Sequence, residues 1–233
     1  MPSRILNRQE VRRLAEEEGA QLVDVLPREE YAYAHLPGAV HIPLRRLDDK
    51  APRLLDPDRP VVVYCCDALC DLSPRAAVRL EQLGFRYVYD YAPGKADWLA
   101  AGLPREGAAA YLVFAGDVAR DTVPTCGYGR PLDETLAQLR AAAQDFCVVV
   151  DDDQIVLGTL SAREAEPRAG ATVQDVMRQG PPTVRAGESL KPLVKRMGKR
   201  ASDHVLVTDP EGRLLGALSR RDAERALERA ESD

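Results

Sequence analysis

Apolar positions recur along this chain in two rhythms. Val61-Val62-Val63-Tyr64 is a continuous apolar run, the pattern of a parallel strand buried on both faces rather than one with a wet face. Shorter apolar runs predict further strands over 21–25, 39–42 and 87–91. Between them, apolar residues spaced three and four apart predict helices over 28–35, 44–55, 73–83 and 95–101. Asn7 is placed to cap an earlier helix that runs to Glu18, with Gly19 as its stop. Ser73 as N-cap and Pro74 at the first helical position mark the start of the helix that follows the apolar run. Strands separated by helices of this length predict a mostly parallel sheet with helices on both faces.

Beyond residue 114 the pattern repeats itself. Residues 117–164 align without a gap on residues 175–222, and sixteen of forty-eight positions are identical. Composition alone would give roughly three or four matches. Leu157-Gly158-x-Leu160-Ser161-x-Arg163 returns as Leu215-Gly216-x-Leu218-Ser219-x-Arg221. Leu132, Leu136 and Leu139 share one helical face, as do Leu190, Val194 and Met197. The runs 147–150 and 205–208 predict short strands, and Asp209-Pro210-Glu211-Gly212 predicts a turn between strands. Each copy is expected to close with a helix opened by Ser161 or Ser219. One such unit is too small to bury a large core, so two related units are expected to pack together.

Composition places limits on function. Hydrophobic residues make up 45% of the 233 positions and charged residues 30%, as in a soluble globular protein. The net charge of −5 gives no general attraction to nucleic acid or to anionic membranes. The first ten residues carry no apolar core like that of a signal peptide, and no run reaches membrane-spanning length. Five cysteines at irregular spacing predict free thiols in a reducing compartment, with cytoplasm as the expectation.

Chemistry is expected where the buried strand ends. Cys65 follows Tyr64 directly, so its thiol lies at the carboxyl edge of a parallel sheet, where ligands of open α/β folds bind. The following helix would offer unpaired amides and a dipole that lower a thiol's pKa. Cys66 or Cys70 could resolve an oxidised Cys65 by forming a disulfide. The alternative use of Cys65 is a small apolar residue closing a strand. No cysteine or histidine pair nearby has regular zinc-ligand spacing, so no metal is expected. His35 is read as ordering its neighbouring loop rather than doing acid–base work, Asp24 as capping a helix or holding a loop, and Trp98 as packing.

Several of these residues resemble a known family. Leu22-Val23-Asp24-Val25, Glu30-Tyr31, His35-Leu36-Pro37-Gly38-Ala39, Val62-Val63-Tyr64-Cys65, Ser73 with Ala76-Ala77, Leu83-Gly84-Phe85 and Gly94…Trp98…Gly102-Leu103-Pro104 resemble a single-domain rhodanese, in order, over almost all of residues 5–104. The resemblance implies a sulfurtransferase acting on thiosulfate or a persulfide. Cys65 would carry sulfane sulfur as a persulfide, supported by the loop Cys66, Asp67, Ala68, Leu69, Cys70, Asp71 and Ser73. It implies a sulfur donor and an acceptor, each a small molecule or a protein thiol, and no cofactor for the transfer. The loop departs from the family pattern: it is longer and has neither Gly nor Arg. Asp67 and Asp71 stand in it, Leu26 replaces an Arg, and Pro93 replaces the first Gly of a pair. Two like charges about 4 Å apart repel by about 4 kcal/mol at an effective dielectric near 20, so carboxylates beside the sulfur would oppose a thiolate.

The duplicated region resembles a pair of CBS motifs, a Bateman module of two β-α-β-β-α repeats. Asp175-Val176-Met177, Pro182-Thr183-Val184, the strand from His204 to Val207 and Gly216-Ala217-Leu218-Ser219-Arg220-Arg221-Asp222 carry the likeness. It implies an adenosyl ligand such as AMP, ATP or S-adenosylmethionine, held by Thr183, His204, Val205, Ser219, Arg221 and Asp222. A weaker second site would use Thr125, Ser161 and Glu164, where Glu replaces Asp. It also implies a homodimer formed through this region. The same Ser-x-x-Asp pattern is a helix capping box, which needs no ligand. The expected organisation is a rhodanese-like domain over 1–106, a linker over 107–114, and CBS motifs over 115–168 and 171–229. Two functions compete: a sulfurtransferase with a nucleotide-responsive regulatory module, and a non-catalytic redox or ligand sensor.

Overall fold

The computed structural model describes residues 4–163, 165, 170–200 and 202–230. It divides into two units, Met1–Leu99 with Leu103–Leu112 and Ala100–Gly102 with Val113–Asp233. The first unit runs β1 (Arg4–Ile5), α1 (Arg8–Glu17), β2 (Gln21–Asp24), α2 (Arg28–Tyr33), β3 (Val40–His41), α3 (Leu47–Leu54), β4 (Val61–Tyr64), α4 (Leu72–Gln82), β5 (Val88–Tyr91) and α5 (Gly94–Ala100). Its strands form one sheet in the order β1-β5-β4-β2-β3, with every pairing parallel.

The central strand explains both layers. Successive side chains of β4 point to opposite faces. Val61 and Val63 pack with Leu47, Ala76, Ala77 and Leu80 from α3 and α4. Val62 and Tyr64 pack with Val11, Leu14 and Trp98 from α1 and α5. Burying each Val or Leu side chain contributes about 1.5–3 kcal/mol, so helices cover both faces. Asn7 caps α1 as its sequence predicts: its Oδ1 accepts the Glu10 N–H at 2.9 Å and its own N–H donates to the Glu10 carboxylate at 2.9 Å.

Two expectations change. β1 is an additional edge strand, and two residues are too few to show a period. The helix after β4 begins at Leu72 with Asp71 in the cap position, and the Asp71 side chain makes no capping bond. Ser73 is therefore not the cap and Pro74 is not the first helical residue. Ser73 lies inside the first turn on the face turned to the sheet, where it is buried.

The second unit runs α6 (Ala115–Val118), β6 (Thr125–Gly127), α7 (Leu132–Ala141), β7 (Phe146–Val150), β8 (Val156–Ser161), β9 (Arg178–Gln179), β10 (Thr183–Arg185), α8 (Leu190–Lys199), β11 (His204–Thr208), β12 (Leu214–Ser219) and α9 (Arg220–Ala230). The first copy supplies β6-α7-β7-β8 and the second β10-α8-β11-β12-α9. In each, a parallel pair precedes an antiparallel pair. The helix expected after Ser161 falls largely outside the described residues.

The copies exchange their leading segments. β9, which leads the second copy, pairs with β8 of the first through Thr159 and Arg178. Reciprocally, Arg120, in the leading segment of the first copy, bridges Ala217 of β12, with N–H···O bonds of 2.9 Å in both directions. These pairs are repeat equivalents, since 120 + 58 = 178 and 159 + 58 = 217. The glycine of each repeat lies under the crossing backbone. A Cβ on Gly158 would come within 2.8 Å of the Arg178 carbonyl oxygen, and one on Gly216 would overlap the Arg120 carbonyl at a φ of +154°. Val148, Val150 and Leu206 then pack together with Phe146, Leu214 and Ala217 across the two copies.

Among the described residues, no helix is long and apolar enough to cross a membrane. Because backbone rather than a flexible side chain blocks position 216, Gly216→Ala is expected to destabilise the protein by about 1–3 kcal/mol in urea unfolding. An unchanged midpoint would show that the crossing is not tight.

Candidate functional site

The loop between β4 and α4 brings three thiols together. Cys65 is fully buried at the end of β4. Its Sγ lies 3.3 Å from Ser73 Oγ, 3.5 Å from the Cys70 carbonyl oxygen and 3.8 Å from that of Asp67. Burial pushes the Cys65 thiol up to about 11, against the Ser73 hydroxyl and amide, which favour its thiolate. Cys66 is also raised, by burial first and then by its neighbour Cys70. Cys70 goes the other way. Burial would raise it, but hydrogen bonds from the Cys65 thiol, the Leu72 and Cys66 amides and the Cys66 thiol outweigh that penalty and lower it.

The amide cradle expected around Cys65 therefore forms mainly around Cys70. Carbonyl oxygens, which repel a thiolate, take two of the positions beside Cys65. Asp67 folds back on its own loop, with its Oδ1 accepting the Leu69 N–H at 2.9 Å. Asp71 is mostly exposed and pairs with Arg75 at 3.3 Å. The expected carboxylate opposition is thus minor at Cys65, where burial is the larger cause. Ala68 and Leu69 are exposed at the loop tip. The underside of the loop is tied to α5, whose Lys95 and Ala96 amides donate to the Cys65 and Cys66 carbonyls at 2.9 and 2.8 Å.

The neighbouring polar residues hold loops. Asp24 Oδ1 accepts the Leu26 N–H at 2.9 Å. His35 exchanges backbone hydrogen bonds with Glu106, and its ring stacks on Tyr31 with centroids 3.7 Å apart. Trp98 donates its indole N–H to the Pro104 carbonyl at 2.7 Å.

In the second unit the expected ligand residues separate. His204 and Val205 line a cleft of about 480 Å³ together with Phe146, Thr159, Arg178 and Arg200. Asp222 lines a different groove with Asp117, Val118 and Arg120. Ser219 caps α9: its Oγ accepts the Asp222 N–H at 3.0 Å and donates to Asp222 Oδ2 at 2.8 Å. Arg120 Nη2 donates to Asp222 Oδ1 at 2.9 Å. The Ser219 hydroxyl first, and then the Arg120 charge, hold the Asp222 carboxyl below the usual carboxylate range. Thr183 and Arg221 are exposed and line neither cavity, and in the first copy Thr125 is likewise exposed. Ser161 is half-buried at the end of β8, and Glu164 lies outside the described residues.

Comparison with known proteins places both halves. Residues 7–101 match the rhodanese-like domain and residues 173–229 match the CBS domain. The chain carries a rhodanese-like domain and a CBS domain. It is 40% identical over 103 residues to "HTH-type transcriptional regulator Rv0324" of Mycobacterium tuberculosis, covering 44% of this chain and 45% of that one. It is 35% identical over 82 residues to "Putative sulfur carrier protein YrkF" of Bacillus subtilis, covering 35% of this chain and 43% of that one. The chain thus spans less than half the length of the curated relatives it matches. A solved CBS-pair protein of Arabidopsis thaliana, CBSX2, is 20% identical with a TM-score of 0.44, covering 52% of this chain and 98% of that one. CBSX2 has also been solved in complex with AMP.

Sequence reasoning located the thiol loop of the rhodanese-like domain but missed two residues. Asp90 of β5 is buried with its Oδ1 unpartnered, and burial raises its carboxyl against the Ser73 hydroxyl, which lowers it. A lone Asp inside an apolar strand was the available signal. Arg120 on Asp222 was also missed, although it stands at the repeat position of Arg178. Among the described residues, no group of three or more His, Cys, Asp or Glu side chains is placed to hold a metal.

The cradle predicts an order of reactivity. Cys70 is expected to react with iodoacetamide first near neutral pH and Cys65 last, with rates for Cys65 rising only toward alkaline pH. Fragment-ion mass spectrometry of the loop peptide reads the order. Alkylation of Cys65 ahead of Cys70 would refute this assignment of the thiolate.

Proposed function

We propose that the rhodanese-like domain carries sulfane sulfur on its three-thiol loop and that the CBS region binds an adenosyl ligand that regulates it. The observation that carries this reading is the cluster itself, in which Cys65 ends the central strand with its sulfur 3.3 Å from Ser73 Oγ and 3.5 Å from the Cys70 carbonyl oxygen, and Cys66 and Cys70 stand in the same loop. In the loading step Cys65 forms a bond to the outer sulfur of a thiosulfate or persulfide donor. The donor's own S–S bond breaks, and sulfite or a thiolate leaves. Cys70, the thiol that ionises most readily, then attacks Cys65 and closes a Cys65–Cys70 disulfide. The outer sulfur is expelled as hydrosulfide, or passes instead to an acceptor thiolate. The resemblance of Val62-Val63-Tyr64-Cys65 to the family's loop supports Cys65 as the carrier.

For the CBS region, support comes from the cleft beside His204 and Val205, where Arg178 and Arg200 offer positive charge to phosphate. Asp222 lines the separate groove with Arg120, where it would hold the ribose hydroxyls of a ligand seated in that groove by displacing its bond to Arg120.

A second reading has its own observation. The complete burial of Cys65 and its thiol raised to about 11 favour a non-catalytic sensor whose outer thiols report redox state. Intact-protein mass spectrometry after incubation with thiosulfate and with polysulfide separates the two. A transferase gains one sulfur atom on Cys65. Cys65→Ser abolishes that gain, and Cys70→Ser prolongs it. No gain with any donor supports the sensor.

Calorimetry with AMP, ATP and S-adenosylmethionine tests the CBS proposal. Loss of charge-assisted bonds worth about 1.5–3 kcal/mol predicts that Asp222→Ala weakens binding roughly tenfold or more. Binding unaffected by that change would remove Asp222 from the site. Sedimentation of the same samples reads the expected homodimer.

A further inference from the structure

Two cysteines of the second unit lie outside the thiol loop and line neither the His204 cleft nor the Asp222 groove. Cys126 of β6 and Cys147 of β7 have their sulfur atoms 2.9 Å apart, closer than two thiols at rest ordinarily approach. Cys126 pairs with Val149 in the parallel register, and Cys147 precedes Val149 by two residues, on the same face of β7. That face packs against α7, so the pair lies in a core with Leu132, Leu136, Leu139 and Leu160. Both side chains are buried, Cys126 at 6% exposure and Cys147 at 1%. β6 is the edge strand of its sheet, which makes Cys126 the member nearer solvent.

The duplication supplies a control for packing. At the repeat shift of 58 residues, Cys126 falls on Val184 and Cys147 on Val205. Both valines are buried beneath α8. They pack beside Leu190, Met197 and Leu218, the equivalents of Leu132, Leu139 and Leu160. One site in the fold is thus filled by hydrocarbon in the second copy and by two touching thiols in the first. The core needs volume there, not sulfur. Reactivity is what a cysteine adds to a position that a small apolar residue already satisfies.

We propose that Cys126 and Cys147 form a reversible dithiol–disulfide pair, a modification site in the CBS region oxidised by a small hydroperoxide. The pair uses none of the loop thiols and stands apart from the sulfur-transfer reading. A disulfide holds its sulfurs about 2.05 Å apart, so each sulfur moves by less than about 0.5 Å to close the bond. Cys126 is the attacking group. It lies at the sheet edge, and the hydrogen bond from the Cys147 thiol holds it below the usual thiol range. Its thiolate bonds to one peroxide oxygen, the O–O bond breaks, and the leaving oxygen takes up a proton. Cys126 is then a sulfenic acid. The Cys147 sulfur attacks the Cys126 sulfur, the S–O bond breaks, and the Cys147 proton leaves with hydroxide as water. Two thiols have lost two electrons and two protons, and the peroxide has accepted them. An added thiol reverses the bond by exchange. The closed bond ties the edge strand β6 to β7 around α7, a cross-link that restricts the unfolded chain.

The test treats the folded full chain with hydrogen peroxide. Remaining thiols are then blocked with N-ethylmaleimide in denaturant, and the protein is digested with trypsin without reductant. Trypsin cleaves after Arg140, between the two cysteines, so mass spectrometry reads the disulfide as one ion joining two peptides, lighter than their sum by two hydrogens. That ion is expected to form with peroxide and to disappear with dithiothreitol. Cys147→Val is expected to send Cys126 on to sulfinic acid, a gain of two oxygen atoms. Cys126→Val is expected to leave Cys147 as a blocked thiol. Valine fills both places in the second copy, so these variants keep the packing, and the native digest decides the question without them. Recovery of both native cysteines as blocked thiols, under peroxide that oxidises the loop thiols, would overturn the proposal. Native Cys126 found as sulfinic acid beside a free Cys147 would do so too, as would either cysteine joined to Cys65, Cys66 or Cys70.

Discussion

Desolvation of one sulfur atom governs the chemistry of the rhodanese-like domain. Cys65 is pulled under the surface because β4 is the central strand and α4 closes over its end, with Ala76 and Ala77 small enough to let the helix approach. That depth raises the thiol and leaves the next sulfur along the loop, Cys70, to collect the amides of Leu72 and Cys66. The two acidic residues matter less than their sequence positions suggest. Asp71 faces solvent, where the interaction of charges 4 Å apart falls to about 1 kcal/mol, and Asp67 spends its carboxylate on a loop amide. Depth, not loop charge, separates the roles of the three thiols.

In the second unit the governing constraint is a backbone crossing. Each copy lends its leading segment to the other copy's last strand, and the repeat glycines at 158 and 216 lie where side chains would collide with that segment. The exchange makes the two copies one folding unit, because neither sheet edge is complete alone. It also delivers Arg120 to Asp222. The groove and the helix cap of the second copy are thus finished by residues belonging to the first.

Much of this was legible in the amino-acid sequence. The Val61–Tyr64 run marked the central strand, Asn7 and Glu10 marked the first helix, and a shift of 58 residues marked the duplication, because each of these signals is local or periodic. What escaped depended on tertiary placement. A two-residue strand such as Arg4–Ile5 has no period to read. Ser73 satisfied every local rule for a cap, yet its hydroxyl lies 3.3 Å from Cys65 Sγ instead. Asp90 looked like one polar residue in an apolar strand until the fold buried it with one oxygen unpartnered. The split of His204 and Val205 from Asp222 into separate cavities likewise follows from the crossing segment, which no motif records.

The Ser219–Asp222 pair shows why one pattern serves two ends. A helix cap and a nucleotide site both ask a hydroxyl and a carboxylate to stand at a helix N-terminus, so the residues alone do not distinguish them. Energetics orders the two uses. The Ser219 cap contributes on the order of 1 kcal/mol. The Arg120 ion pair, with the arginine side chain 67% exposed, is screened by solvent and contributes little. Charge-assisted bonds to a diol are worth more than the ion pair they would replace. The hydroxyl can keep accepting the Asp222 amide while the carboxylate changes partner. Capping and the proposed ligand binding at α9 are therefore compatible, and in that proposal Arg120 is the group that yields.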